Sequence, residues 1–217
     1  GLAALVGIAQ FCGNFQFVYR AEHYLTSGVV AVLYALLMVP NAVFSRLFLN
    51  VRLEPRFMAG SAVALAGIAL LLVHEYRLAP PGGAVGLGVV LTLGGLFSAS
   101  AANVLQASQR ARAQPMVPLV AWAMIFGTVV DVALAWAMHG PPTFDPRPQY
   151  VAGVVYLGIF GSVVSFPLYF WLIRQMGAGR AAYNGVAVPV IAMALSTLFE
   201  GYRWSALAAG GAVLAML

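Results

Sequence analysis

"PVIAMALSTLFEGYRW", residues 189–204, runs from a proline through a mostly apolar stretch to a lone glutamate, then Gly, Tyr, Arg and Trp. Much earlier, "PNAVFSRLFLNVRL", residues 40–53, shows the same proline lead, the same Leu-Phe pair and an arginine four residues after the Phe. One constant offset carries Leu47 onto Leu198, Phe48 onto Phe199, Arg52 onto Arg203, Gly60 onto Gly211 and Gly28 onto Gly179. Pro40 and Pro189 align with a shift of two residues. The chain reads as one unit written twice.

The solvent of that unit follows from composition. With 62% apolar and only 8% charged residues, the chain cannot be arranged as a globule with a polar skin. All basic residues are arginines and, with 11 of them against six acids, the balance would ordinarily raise nucleic acid as a partner. They sit singly between long apolar runs, so no basic face assembles; the partners expected are the lipid bilayer and a small-molecule solute, not nucleic acid. Cys12, alone in its type, has no intrachain disulfide partner and reads as a small buried hydrophobe.

About 20 apolar residues cross a bilayer as a helix, and lipid cannot satisfy exposed backbone groups. Eight spans are predicted, near residues 1–19, 28–49, 57–73, 83–107, 116–138, 151–173, 181–199 and 204–217. Their connections fall alternately on two sides. One set holds Arg20, Arg77, Arg147 and Arg203, offset by Glu22, Glu75, Asp145 and Glu200. The other holds Arg52, Arg56, Arg110, Arg112, Arg174 and Arg180, with Arg46 snorkelling to join them, against Glu54 alone. The excess of arginine places the second set in the cytoplasm, as in a bacterial inner membrane.

Under the repeat, helices one to three correspond to six to eight. Corresponding helices are five crossings apart, so the two copies face opposite ways across the bilayer. Helices four and five precede the sixth, whereas nothing precedes the first. With a last run of 14 residues and no initiating Met, this pattern predicts a fragment of a ten-helix protein.

"YLTSGVVAVLYALLMVPNAVFSRLFL" (24–49) and "AGRAAYNGVAVPVIAMALSTLFEGYRW" (178–204) resemble the fourth and ninth helices of the drug/metabolite transporter superfamily, in its EamA-type pattern of two five-helix repeats. The usual Gly-Glu after the first-copy helix is Asn50 and Val51 here. The resemblance implies an all-α integral membrane fold, with residues 1–82 as helices three to five of the first repeat and 83–217 as the second. It implies export or exchange of small metabolites or drugs by alternating access, not enzymatic catalysis. A membrane-embedded enzyme and a non-transporting scaffold are the rival readings. No cofactor is expected; proton coupling and a homodimer are both open to such a chain.

Polar groups inside spans are costly unless they face other helices or a wet cavity. Asp131, the carboxylate well inside a span, could hold a cationic solute, take up a proton, or lock one helix to another. Asn14, Gln16, Asn103, Gln106 and Asn184 are neutral donors and acceptors suited to a small polar solute or to interhelical bonds. Tyr19, Trp122, Tyr169 and Tyr183 could line the path or form an interfacial belt. Ser98 and Ser165 could lend hydroxyls. The substrate-binding set expected is Asn14, Gln16, Asn103, Trp122, Asp131, Tyr169 and Asn184, around a polar cavity between the bundles near mid-depth. Pro40, Pro167 and Pro189 are expected to break their helices, and Glu200 and Arg203 to pair or gate at a helix end.

"GAGRAA" at 177–182 fits a dinucleotide fingerprint but follows a membrane helix, so it reads as a turn. His23, His74 and His139 all fall in the first set of connections and read as interfacial rather than metal-binding.

Overall fold

A computed structural model describes residues 1–52, 84–141 and 145–182, with scattered positions in 59–73 and 191–213. Where the sequence is continuously apolar the backbone satisfies itself as helix, and no strand occurs among the described residues. The spans are α1 (Leu2–Ala21), α2 (Ser27–Leu49), α3 (Val85–Ala107), α5 (Met116–His139) and α6 (Pro148–Met176). Two short helices, α4 (Gln109–Arg112) and α7 (Ala178–Ala181), follow α3 and α6. These spans agree with five of the expected runs. The runs expected at 57–73, 181–199 and 204–217 lie outside the described residues apart from scattered helical positions.

The largest boundary correction is α6, expected over 151–173 but beginning at Pro148 and ending at Met176. Pro148 sits at a helix start, where its fixed φ suits the first turn and its missing N–H would have had no partner. Arg174, expected in a connection, is thereby within α6, its head group at the helix end. At about 1.5 Å per residue, 29 residues exceed a hydrocarbon core of about 30 Å, so α6 tilts or projects. α5 and α6 both end in a glycine of positive φ, Gly140 and Gly177.

α1 lies between α3 and α5. It runs antiparallel to α3, where Gly88 abuts Tyr24 and Leu25 while Ser98 bonds the carbonyl of Ala9. It runs parallel to α5, with Gly7 against Ala123, Phe11 against Gly127 and Arg20 reaching Met138. The contacts sort the chain into two ends. One gathers Arg20, Glu22, His23, His139, Asp145 and Arg147; the other gathers Arg46, Arg52, Arg110, Arg112, Arg174 and Arg180, the grouping that alternation of the spans requires.

Apolar packing is split between two clusters. Val29, Val32 and Leu33 of α2 pack with Leu96 of α3, and Val6 and Phe11 of α1 pack with Ala102, Val120, Phe170 and Ile173. The outward sides of α5 and α6 carry exposed Ile125, Val129, Trp136, Tyr156 and Phe160, as a lipid-facing surface does.

Three spans are locally irregular. α1 contains a π turn at Ile8–Gly13, α2 a 3-10 turn at Ala35–Leu37, and α6 a π segment at Leu157–Val164. The last two lie just before Pro40 and Pro167. Each proline removes the bond its N–H would give to the carbonyl four residues back, and its ring crowds that carbonyl, so the preceding turn departs from α geometry.

Between α5 and α6, Asp145 accepts from the backbone N–H of Arg147 at 3.0 Å and from its Nε at 2.8 Å. Bonding to the Arg147 side chain, then to its backbone, holds the Asp145 carboxyl below its ordinary range. A lowered folded value means that its contribution is full above the ordinary carboxylate value and is lost as pH falls through the lowered one. An NMR titration of Asp145 should show a midpoint below that of an unpaired aspartate, returning to it in Arg147→Gln.

Candidate functional site

The π turn of α1 decides what that helix presents to α5. Among the residues of α1 that meet α5 are Gly7, Phe11, Gln16 and Arg20, spaced four, five and four apart. The step of five spans the π turn, where one extra residue rotates everything after it. A regular α-helix would bring Phe15 to this seam. Instead Gln16 faces Asp131, and its Nε2 donates to Asp131 Oδ1 at 2.8 Å.

The orientation of that amide is fixed by its other end. Arg20 Nη2 donates to Gln16 Oε1 at 3.0 Å, and a guanidinium has no acceptor, so the oxygen of Gln16 must face Arg20 and its NH2 must face Asp131. The Cys12 thiol faces the same carboxylate. On another side of α1, Tyr34 of α2 donates its hydroxyl to Asn14 Oδ1 opposite Gly95, where an added Cβ would overlap the Tyr34 oxygen. Gln16, Arg20 and Asp131 thus form one polar station joining α1 to α5, while Asn14, two residues from Gln16 and on another side of α1, joins it to α2.

A second station lies towards the arginine-rich end. Asn41, fully buried beside Pro40, donates Nδ2 to the carbonyl of Ala178 at 3.2 Å and accepts from Asn103 Nδ2 at 3.4 Å. The Tyr169 hydroxyl adjoins Asn41. Arg174 donates to Gln106 Oε1 at 3.3 Å and to the carbonyl of Gln114 at 2.9 Å. Asn103 and Tyr169 are thus both brought to Asn41, at a different level from Asp131.

Trp122 joins neither group: it is 56% exposed on the outer side of α5, against Phe126. Tyr19 is likewise exposed, stacked on Phe15. Ser98 and Ser165 spend their hydroxyls on the backbone carbonyls of Ala9 and Phe160. Asn184, Pro189, Glu200 and Arg203, with Tyr183 and His74, lie outside the described residues, as does most of 183–217, the last part of the second copy. Asn41, Tyr34, Arg20 and Arg174 were not singled out from sequence as parts of these stations. Asn41 carried the signal, a polar side chain well inside an apolar run, that selected Asn14.

A cleft of about 430 Å³ is lined by Glu22, His23, Tyr24, Leu25, Thr26 and Ser27. Its lining is one consecutive segment, so it is the concavity of the α1–α2 turn and not a passage between helices.

Residues 86–217 match the EamA-like transporter family. The chain is 29% identical over 202 residues to YedA of Escherichia coli K12, described as an uncharacterized inner membrane transporter; the match covers 92% of this chain and 63% of YedA. It is 23% identical to PagO of Salmonella typhimurium over 201 residues, covering 93% of this chain and 65% of PagO. The chain thus spans just under two thirds of the length of these relatives. A crystal structure at 22% identity superposes with a TM-score of 0.63, over 98% of this chain and 71% of that one, which shows a shared fold.

Proposed function

Because the chain belongs to the EamA-like transporter family, we propose that it works as a secondary transporter exporting or exchanging small organic metabolites or drugs by alternating access between two inverted bundles. The observation that carries this reading is the drawing together of Asp131, Gln16 and Arg20 within the spans. A hydrogen-bonded carboxylate among otherwise apolar helices is costly to keep, and it suits a solute or proton site. Pro40 and Pro167, beside irregular turns, are the points where α2 and α6 would bend as the ends open and close.

The inverted relation has structural support beyond the matching letters. α1 and α6, first members of the paired triplets, run in opposite directions, and the offset that aligns Leu47 with Leu198 carries the π turn of α1 into the π segment of α6. Leu47, Phe48, Leu198 and Phe199 are all exposed. A π segment and exposed side chains at positions related by one offset support the inverted pairing.

Transport is tested by reconstituting the full-length protein in liposomes and measuring flux of amino acids, nucleosides and cationic drugs under an imposed pH gradient. Flux of at least one of these above protein-free liposomes is expected; none across the whole panel would count against the reading.

Orientation is tested separately. Tyr24→Cys lies at the acid-containing end and Gln114→Cys at the arginine-rich one. A membrane-impermeant maleimide should label position 24 in intact cells and position 114 only after permeabilisation; the reverse pattern would overturn the assignment.

A further inference from the structure

The arginine-rich end is short of negative charge. Seven arginines fall in its connections or just beside them against Glu54 alone, and the described side-chain carboxylates, Glu22, Asp131 and Asp145, lie at the opposite end or inside α5. Two of those arginines are brought together and held. Arg174, at the end of α6, donates Nη1 to the Gln114 carbonyl at 2.9 Å and Nη2 to Gln106 Oε1 at 3.3 Å. Arg112, the last residue of α4, donates Nε to the Ala107 carbonyl at 3.1 Å, and its charge bears directly on Arg174.

A guanidinium carries five N–H groups and accepts nothing. Among the described residues these bonds occupy two N–H groups on Arg174 and one on Arg112, so both terminal nitrogens of Arg112 and one N–H on each terminal nitrogen of Arg174 stay uncommitted. Two cations fixed side by side repel, and no carboxylate among the described residues offsets them. Arg112 is exposed and Arg174 half-buried, which leaves one side of the pair open to an anion. The surface next to it is apolar. Trp171, three residues before Arg174 and so its neighbour one turn deeper in α6, is exposed, as are Val117 in the first turn of α5 and Met176 at the end of α6. An inorganic anion would use the arginines alone; a phospholipid uses both the arginines and the apolar flank.

We propose that Arg112 and Arg174 clamp the phosphate of an anionic phospholipid at the corner between α4 and α5, with its acyl chains lying against Trp171 and Val117. Guanidinium forks match phosphate oxygens in pairs, and arginines near a helix end sit at headgroup depth. Phosphatidylcholine offers the same phosphate but brings a trimethylammonium to a surface that already carries Arg110, so the clamp favours headgroups of net negative charge. Arg174 also ties the end of α6 to the link before α5, and a bound headgroup strengthens that tie. The clamp lies at the lipid boundary and does not depend on which solute crosses.

The test titrates purified full-length protein in detergent with phosphatidylglycerol, phosphatidylcholine or inorganic phosphate and follows thermal melting. Phosphatidylglycerol should raise the melting temperature, while phosphatidylcholine and inorganic phosphate at the same concentration should not. Arg112→Gln should weaken the response to phosphatidylglycerol about 10- to 100-fold in concentration. Arg112→Lys, which keeps the charge, should lose less, and Arg110→Gln, equal in lost charge, should lose no more than about fivefold. Should Arg112→Gln not fold, amide hydrogen exchange of the wild-type protein carries the test: phosphatidylglycerol, and not phosphatidylcholine, should slow exchange over residues 108–116. Equal stabilisation by the two lipids, an unchanged response in Arg112→Gln, or unaltered exchange over 108–116 would overturn the proposal. So would a response to inorganic phosphate that matches phosphatidylglycerol, which would make this a site for free anions. Equal losses in Arg110→Gln and Arg112→Gln would replace the clamp with the general field of this end, and overturn it as well.

Discussion

Asp131→Asn should leave the protein folded and reduce its transport at least tenfold, whereas Asp131→Leu should also destabilise it. The two outcomes separate because Asp131 does two things. As an acceptor it takes the Gln16 Nε2 hydrogen bond at 2.8 Å, which an asparagine oxygen can accept equally well. As a carboxylate it supplies a charge, or a protonation equilibrium, inside a span, which an amide cannot. Leucine removes both and leaves the Gln16 NH2 without its partner, because Arg20 holds the other end of that amide; an unsatisfied donor of this kind costs about 1–3 kcal/mol. Thermal melting of the purified protein reads the structural role, and flux into liposomes reads the other. Wild-type flux in Asp131→Asn would remove the carboxylate from the mechanism and leave it as a tie between α1 and α5.

The second large effect concerns the seam that this tie crosses. A Cβ at Gly127 would lie 2.5 Å from both the Gly7 carbonyl oxygen and Phe11 Cβ, and one at Gly7 would overlap the Ala123 carbonyl. The obstructing atoms are mostly backbone, which cannot rotate aside, so a larger residue must push α1 away from α5. Small residues at such crossings let helices approach closely enough for dispersion to hold them in lipid. Gly7→Val and Gly127→Val should each cost at least about 1–3 kcal/mol, the usual range for overpacking, and should weaken the Gln16–Asp131 contact farther along the seam. Size-exclusion chromatography and thermal melting measure the loss. Gly153→Val is the control, since nothing lies within 4 Å of a Cβ there. Equal behaviour of Gly127→Val and Gly153→Val would show that the helices are not in close contact.

Both effects bear on what could be read from the chain alone. The five described spans were legible because hydropathy along a continuous run is a one-dimensional property. So was the intramembrane rarity of Asp131. Which polar residues meet was not legible, because that depends on the rotation of each helix about its axis. The π turn at Ile8–Gly13 shifts that rotation part-way along α1, and the apolar sequence there gives no sign of it. Without the turn, Phe15 rather than Gln16 would be expected at the α5 seam. The same limit explains Trp122, chosen for its residue type but exposed on the outer side of α5, and Asn41, passed over although its amide anchors the second station. End effects were missed for another reason: Pro148 starts α6 earlier, and Arg174 lets it continue later, than hydropathy indicates.

The paired bundles would have to move reciprocally, and distances between spin labels read this directly in the full-length protein. One pair, Tyr24→Cys with Tyr150→Cys, spans the bundles at one end; the other, Asn50→Cys with Gln114→Cys, spans them at the arginine-rich end. Adding a transported solute, or imposing its gradient, should lengthen one distance while shortening the other. Two distances that stay fixed, or that change together in the same direction, would contradict alternating access between inverted halves.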